Sequence, residues 1–390
     1  MDTFGKRAVD RRAVLRGIAG ASAAGALSVA PGRFGARRAR AQDGPVRFGV
    51  SAPLSGNSAE YGRIWQQAMD IAVAEINDGG GIGGRQLELV YEDTQADPKQ
   101  SVPVAQKFVS DQSIVAELGD FASPASMAAS PIYVRGGMVQ FGFTNSHPDF
   151  TKGGEYMFST TLSQEQDAAY LAQTAFENFG GKQAVLYRNT DWGKITHEIY
   201  VNKLAELGGE AVLIENYLET EKEFRPLLAK IRDAQPEVVT LISYYTDGAL
   251  IAQQAESVEI DAQFVANGAC NSPQFIELGG DSVNGIVTTT VFFPGAARPE
   301  AEPFIAAYTE AAGREPDSFA ALAYDGVKIL AWAAEQGGAE REGIREALVA
   351  GTEIPSIVYG PFRFGDDRRV DNATMVPIQV ADGAWAPYEG

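Results

Sequence analysis

Cysteine and histidine are nearly absent from this sequence of 390 residues, which holds one cysteine, Cys270, and two histidines, His147 and His197. A single cysteine excludes an internal disulfide bond and leaves no cysteine near the N-terminus to carry a lipid. It also excludes the paired C-x-x-C spacing of common zinc sites. No metal ion is therefore expected.

The motifs that usually mark catalysis are missing as well. There is no H-E-x-x-H, G-x-S-x-G or phosphate-binding P-loop, and no pattern places a nucleophile beside a base. Asp120 lies close to Ser123 in the sequence, but an acid at such a position is as easily structural. The sequence predicts that the chain is not an enzyme and uses no cofactor.

One glycine-rich stretch matches a nucleotide-binding motif in spacing only. Gly79, Gly81 and Gly84 form G-x-G-x-x-G, which requires a strand before the glycines and a helix after them. Here a helical pattern precedes the glycines, and an alternating pattern typical of a strand follows at 86–93. The glycines are predicted to end a helix with a left-handed cap and to turn the chain into a strand.

Positive charge is concentrated at the N-terminus. Arg11 and Arg12 precede a weakly apolar run, and Ala39-Arg40-Ala41 matches a small-residue cleavage site. Residues 1–41 are therefore interpreted as a twin-arginine export signal that is cut after Ala41. This segment holds nine basic and two acidic side chains, so its removal changes the formal net charge from −19 to −26.

The remaining chain is acidic and has no long apolar run. An acidic surface repels nucleic acid and anionic lipid. No run beyond the export signal approaches the ~18 to 20 apolar residues that span a bilayer. We expect a soluble, monomeric periplasmic protein that binds no nucleic acid and is not a lipoprotein.

Strand and helix patterns alternate in two successive series, which indicates parallel sheets covered by helices on both faces. The first series runs from Val46 to Phe143 and the second from Gln164 to Gly268. The predicted fold is α/β, with two doubly wound parallel-sheet lobes.

The region after the second series predicts three more helices, at 300–312, 319–336 and 341–349. These helices need a sheet to cover, and the first lobe is the expected host. The chain would then cross between the lobes more than once and form a hinge. The expected organisation is 45–161 plus 290–365 for the N-terminal lobe and 162–289 plus 366–390 for the C-terminal lobe.

Four segments in this order carry a likeness to a known family: GVSAPLSGNSAEYG, AVAEINDGGGIGGRQLELVYEDTQADPKQSV, GFTNSHPDF and YRNTDWG. The chain resembles the periplasmic substrate-binding proteins of ABC importers for branched-chain amino acids. The resemblance implies a class I fold whose two lobes, joined by a hinge of several strands, close on a small solute. It also implies delivery of that solute to a permease in the inner membrane.

The resemblance assigns ligand-binding roles to residues of the first lobe. Tyr61 matches an aromatic over the ligand side chain, and Ser123 matches the serine that binds the ligand carboxylate. Independently, Ser123-Pro124 is typical of a helix N-cap followed by proline, where free N–H groups meet an anion. Thr144 and Ser146 match the segment that holds the carboxylate and ammonium groups.

Three further aromatic positions match the family's ligand contacts. Trp192 follows a predicted strand of the second lobe, and Tyr244 or Tyr245 matches a second aromatic there. Phe319 matches an aromatic near the side-chain pocket, and a role in the core of its own helix is an equally good interpretation. Aromatic side chains would close over the ligand and exclude water.

Gly268 departs from the family pattern. Relatives that bind amino acids usually present a glutamate at this point to pair with the ligand ammonium, and a buried ammonium without an anionic partner is costly. Either Asp247, Asp191 or Glu165 supplies the charge, or the ligand is a carboxylate or amide that lacks an ammonium. The fold would also serve a solute sensor for a membrane receptor, an alternative that the sequence leaves open.

Overall fold

Two β-sheets, each flanked by helices, make up the part of the chain that the computed structural model describes, residues 44–390. The predicted export signal lies outside the described residues. The alternation of strands and helices confirms the predicted α/β class.

The first sheet has five parallel strands in the order β2-β1-β3-β4-β5. The strands are β1 (Val46–Ala52), β2 (Leu87–Asp93), β3 (Ile114–Gly119), β4 (Val139–Phe141) and β5 (Met157–Phe158). The central strands β1 and β3 are almost wholly buried, whereas the edge strand β2 is mostly half-buried. This difference follows from the near-continuous apolar character that a central parallel strand requires.

Three helices connect these strands: α1 (Ala59–Asp78), α2 (Pro98–Ser110) and α3 (Ser123–Gly136). The carboxylate of Asp97 accepts the backbone N–H of Lys99 and caps α2, with Pro98 as the first helical residue. Proline suits this position because its fixed φ fits the helix and the first N–H has no helical partner.

The second sheet has seven strands in the order β12-β11-β10-β9-β8-β6-β7. They are β6 (Lys182–Arg188), β7 (Glu210–Tyr217), β8 (Val238–Ile242), β9 (Gln263–Ala266), β10 (Val287–Thr290), β11 (Val376–Ala381) and β12 (Ala384–Pro387). The first five are parallel, and β11 and β12 are added antiparallel at one edge.

Five helices accompany the second sheet: α4 (Gln164–Phe179), α5 (Asp191–Glu206), α6 (Arg225–Ala234), α7 (Tyr245–Glu256) and α8 (Pro273–Gly279). A capping box between Ser163 and Gln166 starts α4. The chain therefore turns sharply into α4 directly after it leaves the first sheet.

Three later helices return to the first sheet: α9 (Glu302–Ala312), α10 (Ser318–Gly337) and α11 (Arg341–Ala350). Helix α10 packs along α1, and the hydroxyl of Tyr324 donates a hydrogen bond to Glu75. At the start of α11, the guanidinium of Arg341 donates to the carbonyls of Ile114 (3.1 Å) and Gly136 (3.0 Å). The expected lobe boundaries stay a prediction.

The glycine-rich stretch joins α1 to β2. Gly79 keeps a helical φ of −72°, and the positive φ values fall on Gly80 (103°) and Gly81 (73°). The N–H of Gly81 donates to the carbonyl of Ile76 at 2.8 Å, which completes the helix end. The order of helix, glycines and strand confirms the turn interpretation, with the left-handed conformation one residue later than a cap at Gly79.

Within residues 44–390, every helix is too short or too polar to cross a membrane.

Candidate functional site

A cavity of about 90 Å³ lies between the two sheets, where loops leave the carboxyl ends of their strands. By the volume that one buried water needs, it has room for several water-sized groups. Its lining comprises Phe121, Ser123, Thr144, Ser146, Thr161, Leu162, Asp167, Trp192, Tyr244, Asn267, Gly268, Ala269, Thr289, Thr290, Val291, Ser318, Phe319, Leu322 and Met375.

One end of the cavity, here called the hydroxyl end, is formed by Ser123, Thr144 and Ser146. Helix α3 begins at Ser123, with Ala122 in the cap position, one residue earlier than the sequence predicted. The reason is that the carbonyl of Ala122 already accepts the N–H of Ala125 at 2.9 Å. Ser123 therefore lies in the first turn, where the helix dipole and free N–H groups favour an anion.

The segment after β4 is fixed against the start of α3. The hydroxyl of Thr144 donates to the carbonyl of Phe121 at 3.2 Å. The amide of Asn145 donates to the carbonyl of Asp120 (3.0 Å) and to the hydroxyl of Ser126 (2.7 Å). These bonds fix the segment against α3, because bonded buried groups resist rearrangement, while the side-chain oxygen of Asn145 has no partner among the described residues.

The buried arginine Arg369 holds this segment in place through hydrogen bonds. Its guanidinium donates to the carbonyls of Asn145 (3.1 Å), His147 (2.7 Å) and Thr161 (3.0 Å) and to the hydroxyl of Ser159 (3.1 Å). Burial lowers the pKa of Arg369 to about 10, so the group stays charged at neutral pH. Arg369 lies between α11 and β11, where the chain passes from the first sheet to the second for the last time. This crossing therefore supports the loop that carries Thr144 and Ser146.

Aromatic rings line the rest of the cavity. Trp192 begins the first turn of α5 and is only 7% exposed. Its ring lies 5.1 Å from that of Tyr244, which in turn lies 5.3 Å from Phe121. Phe319 lies 6.2 Å from Phe121 and completes this group, here called the aromatic wall: Phe121, Trp192, Tyr244 and Phe319. Its apolar surface suits an apolar ligand group.

Tyr244 is held in place by a buried ion pair. The guanidinium of Arg188 lies 4.6 Å from the centre of the Tyr244 ring and donates to the carboxylate of Asp247 at 2.9 Å. Burial raises the pKa of Tyr244 to about 12, which keeps the phenol neutral. Between the two tyrosines left open by the sequence, Tyr244 is therefore the one that lines the cavity.

Tyr61 lies outside the cavity lining, in contact with the aromatic wall. Its ring stacks on Phe121 at 3.9 Å, and its hydroxyl donates to the carbonyl of Ala269 at 2.6 Å. Tyr245 makes the reverse connection, donating to the carbonyl of Asn57 at 3.2 Å. Each of these bonds therefore connects a segment that follows a strand of one sheet to a segment that follows a strand of the other sheet.

Six of the seven residues predicted to bind ligand line the same cavity: Ser123, Thr144, Ser146, Trp192, Tyr244 and Phe319. Their contact with a ligand stays a prediction, as does that of Tyr61.

The acidic residues considered in place of a glutamate at position 268 differ in whether they could meet a ligand ammonium. Asp247 is already paired with Arg188, and burial, opposed by that arginine, raises its pKa. The side chain of Asp191 is 79% exposed, and Glu165 is exposed as well. Neither lines the cavity. Asp167 does line it, and it is half-buried.

Sequence reasoning did not single out Asp167. The available signal was its helical position, since Gln164, Ala168 and Leu171 are buried on the same face of α4 and Glu165 and Gln166 are not. A helical wheel through α4 therefore places Asp167 toward the second sheet.

Cys270 follows Ala269, which lines the cavity, but does not line the cavity itself. It is fully buried, and its thiol donates to the carbonyl of Ser243 at 3.4 Å, while burial raises the pKa of the thiol. Within residues 44–390, no cluster of histidine, cysteine, aspartate and glutamate is arranged to hold a metal ion. The arrangement as a whole offers anion recognition at one end and apolar enclosure along the other side.

Two lobes with a cavity between them define the class of two-lobed solute-binding proteins. Residues 45–384 match the family model described as periplasmic binding protein, so the chain belongs to that family. The resemblance inferred from the sequence is confirmed. Family membership implies a periplasmic location.

Named relatives and solved structures agree with this assignment. The chain is 32% identical to a Leu/Ile/Val-binding protein homologue of Brucella abortus, over 75% of this chain and 79% of the relative. The substrate-binding protein LivJ of a branched-chain amino acid transporter from Streptococcus pneumoniae, solved with isoleucine, is 25% identical. It superposes with a TM-score of 0.82 over 87% of this chain and 97% of that one.

A third structure shares the fold with a different ligand. The solute-binding protein of an ABC transporter from Rhodopseudomonas palustris, in complex with benzoate, is 18% identical and superposes with a TM-score of 0.80. The superposition covers 88% of this chain and 95% of that one. The class I fold with two lobes is thereby confirmed for this chain.

Proposed function

We propose that this chain is the extracytoplasmic solute-binding component of an ABC importer and that it binds a small amino acid, branched-chain or related, between its lobes. One observation carries the proposal. The same cavity presents a helix N-terminus with three hydroxyl groups at one end and an aromatic wall along its side. An α-amino acid with an apolar side chain matches both features.

Binding would proceed through hinge closure. Ser123, Thr144 and Ser146 follow strands of the first sheet and would meet the ligand first. Trp192 and Tyr244 belong to loops of the second sheet and would gain their contacts only when the lobes close. Ligand contacts made in the closed state alone shift the population toward that state, and the closed surface is what the permease would recognise.

Gly268 favours a second candidate ligand class. It removes the carboxylate that relatives use for the ligand ammonium, and a relative of the same fold was solved with benzoate. The alternative ligand is therefore an aromatic or aliphatic carboxylate or amide without an ammonium. The hydroxyl end and the aromatic wall would serve such a ligand equally well.

The export route and assembly state complete the proposal. Residues 1–41 would direct export by the twin-arginine route, and the absence of a cysteine after Ala41 means that no lipid anchor is added there. The protein would act as a monomer, with residues 45–161 plus 290–365 and 162–289 plus 366–390 as its lobes.

A ligand screen tests the proposal. The purified protein is heated with single amino acids, amides, and aliphatic and aromatic carboxylates, and stabilised pairs are measured by calorimetry. Stabilisation by leucine, valine or isoleucine is the expected result. Stabilisation only by compounds without an ammonium would replace the amino acid by the second ligand class.

Tryptophan fluorescence gives an independent readout of the site. Ligand should change the emission of the wild type, and Trp192→Phe should abolish most of that change. Its persistence in the variant would place the ligand near Trp65, Trp332 or Trp385 instead.

A further inference from the structure

Asp167 combines a carboxyl group with access to the cavity. It lies one turn into α4, where its N–H donates to the carbonyl of Ser163 at 2.9 Å, and its side chain forms part of the cavity lining. Neighbouring Glu165 points to solvent and does not line the cavity. A ligand in the cavity would therefore meet Asp167.

The carboxyl group of Asp167 has no charged partner. It is absent from the ion pairs of the described residues, whereas Asp247, one of the acids considered above for the ammonium, is bonded to Arg188 at 2.9 Å. Burial raises the pKa of Asp167 to about 6, and the neighbouring hydroxyl of Thr289 opposes this rise. An acid with this pKa is mostly ionised at pH 7, and its negative charge faces a cavity without a cation.

A second unpartnered group lies beside it. Thr289 is fully buried and lines the cavity, and its hydroxyl meets no partner in hydrogen-bonding geometry among the described residues. It is close enough to Asp167 to lower the pKa of that acid, yet the two do not form a well-directed bond. Buried polar groups are rarely left unpaired, so the unpaired hydroxyl of Thr289, beside a carboxyl group that lines the same cavity, indicates that a ligand satisfies this corner.

The same corner adjoins Gly268. A β-carbon placed on Gly268 would lie 3.0 Å from the carbonyl oxygen of Thr289, the residue whose hydroxyl neighbours Asp167. Asp167 and the position of the missing side chain therefore flank the same threonine. Asp167, Gly268 and Thr289 all line the cavity, so Asp167 offers a carboxylate in the same cavity in which position 268 offers none.

We propose that Asp167 binds the ammonium group of the ligand, replacing the carboxylate that Gly268 lacks, and that the ligand is an α-amino acid. This inference rests on the proposed function, because it takes the ligand carboxylate to lie at the hydroxyl end. A cation at this corner would pair with the carboxylate, and its remaining N–H would reach the hydroxyl of Thr289.

Paired ligands with and without an ammonium test the inference. Leucine is compared with isocaproate, its analogue without the amino group, and valine with isovalerate, by calorimetry on the wild-type protein and on Asp167→Asn. The wild type should bind the amino acid more tightly than its analogue. Asp167→Asn should weaken amino-acid binding on the order of 100-fold and leave the affinity of the analogue unchanged or higher.

Glu165→Gln is the matched control, because it removes one negative charge from the same helix turn at an exposed position. It should leave both affinities unchanged. A thermal melt of each variant without ligand checks folding, and Asp167→Asn should melt no lower than the wild type. Asp167→Ala, with the same pair of ligands, repeats the measurement if the asparagine variant melts early.

The outcomes separate the two proposals. If the wild type binds amino acids and Asp167→Asn binds them equally well, the role of Asp167 is overturned and the proposed function stands. If the wild type binds only compounds without an ammonium, the amino-acid function and the role of Asp167 both fail. Selective loss of the amino acid in Asp167→Asn supports both.

Discussion

The hydroxyl end of the cavity and the corner around Asp167 differ in how their polar groups are satisfied. At the hydroxyl end, the hydroxyl of Thr144 and the amide N–H groups of Asn145 are bonded and Arg369 braces the segment, which leaves the side-chain oxygen of Asn145 without a partner among the described residues. At the other corner, Asp167 has no charged partner and Thr289 has no hydrogen-bond partner among the described residues. A satisfied network sets geometry before a ligand arrives, whereas an unsatisfied one gains energy only from the ligand. The hydroxyl end is suited to a chemical group that all ligands share, and the corner around Asp167 is suited to selecting among those ligands.

The largest effect is expected from breaking the satisfied network itself. Arg369→Met removes the donor to four oxygen atoms and should lower the free energy of unfolding by about 3 kcal/mol or more, because buried acceptors are left unpaired. Urea denaturation measures the change. Arg363→Met, which removes an exposed arginine bonded to Asp371, should cost less than about 1 kcal/mol. Equal losses in the two variants would contradict the bracing role of Arg369.

The next effect concerns ligand affinity at the hydroxyl end. Ser123→Ala should weaken binding of the screened ligand by about 1 to 3 kcal/mol, because a carboxylate oxygen loses its hydroxyl partner. Calorimetry measures the affinity, and Ser110→Ala provides a control on an exposed helix end. An unchanged affinity for Ser123→Ala would remove this residue from the site.

Asp167 has an ionised carboxyl group without a charged partner. We therefore expect the protein to become more stable when that charge is removed. Burial raises the pKa of Asp167 from 3.8 to about 6 in the folded protein, so the folded state binds the proton more tightly than the unfolded chain. The stability that this tighter proton binding gives the folded state is fully present below about pH 4 and is lost as the pH rises through about 6. Ligand-free Asp167→Asn should therefore match the wild type at pH 4 and exceed it by about 1 to 2 kcal/mol at pH 7.5.

Urea denaturation at pH 4, 5, 6 and 7.5 measures this difference. Glu165→Gln, whose carboxyl is exposed, should follow the wild type at every pH. A wild type that remains as stable as Asp167→Asn at pH 7.5 would show that the carboxylate already has a partner.

The smallest effect comes from the contact between the lobes. Tyr61→Phe removes the hydrogen bond to the carbonyl of Ala269 and should weaken ligand binding by about 1 kcal/mol, through faster dissociation. Tyr308→Phe is the control, since the hydroxyl of Tyr308 bonds Gln67 within the first lobe. Stopped-flow fluorescence measures the dissociation rate, and a similar change in both variants would exclude a closure role for Tyr61.

Local patterns in the sequence were sufficient for much of the fold. The glycines after α1 were interpreted correctly because a helix stop depends on neighbouring residues only. The α/β alternation followed from the apolar periods of the strands and helices. Ser123 and Thr144 were assigned by the family resemblance, and the Ser123-Pro124 pair independently indicated a helix start.

Long-range packing determined what the sequence did not predict. Arg369 acts on Asn145 from 224 residues away, and no local pattern announces that contact. Asp167 and Glu165 are both acids in the first turn of α4, and only the rotation of the helix decides which one faces the cavity. Tyr61, matched to a ligand contact, lies outside the cavity lining and donates its hydroxyl proton to the carbonyl of Ala269, and its contact with a ligand stays a prediction.

The brace from Arg369 also sets the order of events in biosynthesis. The residues of the hydroxyl end emerge from the ribosome early, yet the cation that holds their backbone belongs to a segment translated more than two hundred residues later. Strand β11, at Val376–Ala381, joins the second sheet later still. A nascent chain shorter than this should therefore form its first strands and helices without acquiring affinity for solute, so ligand capture begins only once synthesis has passed both elements.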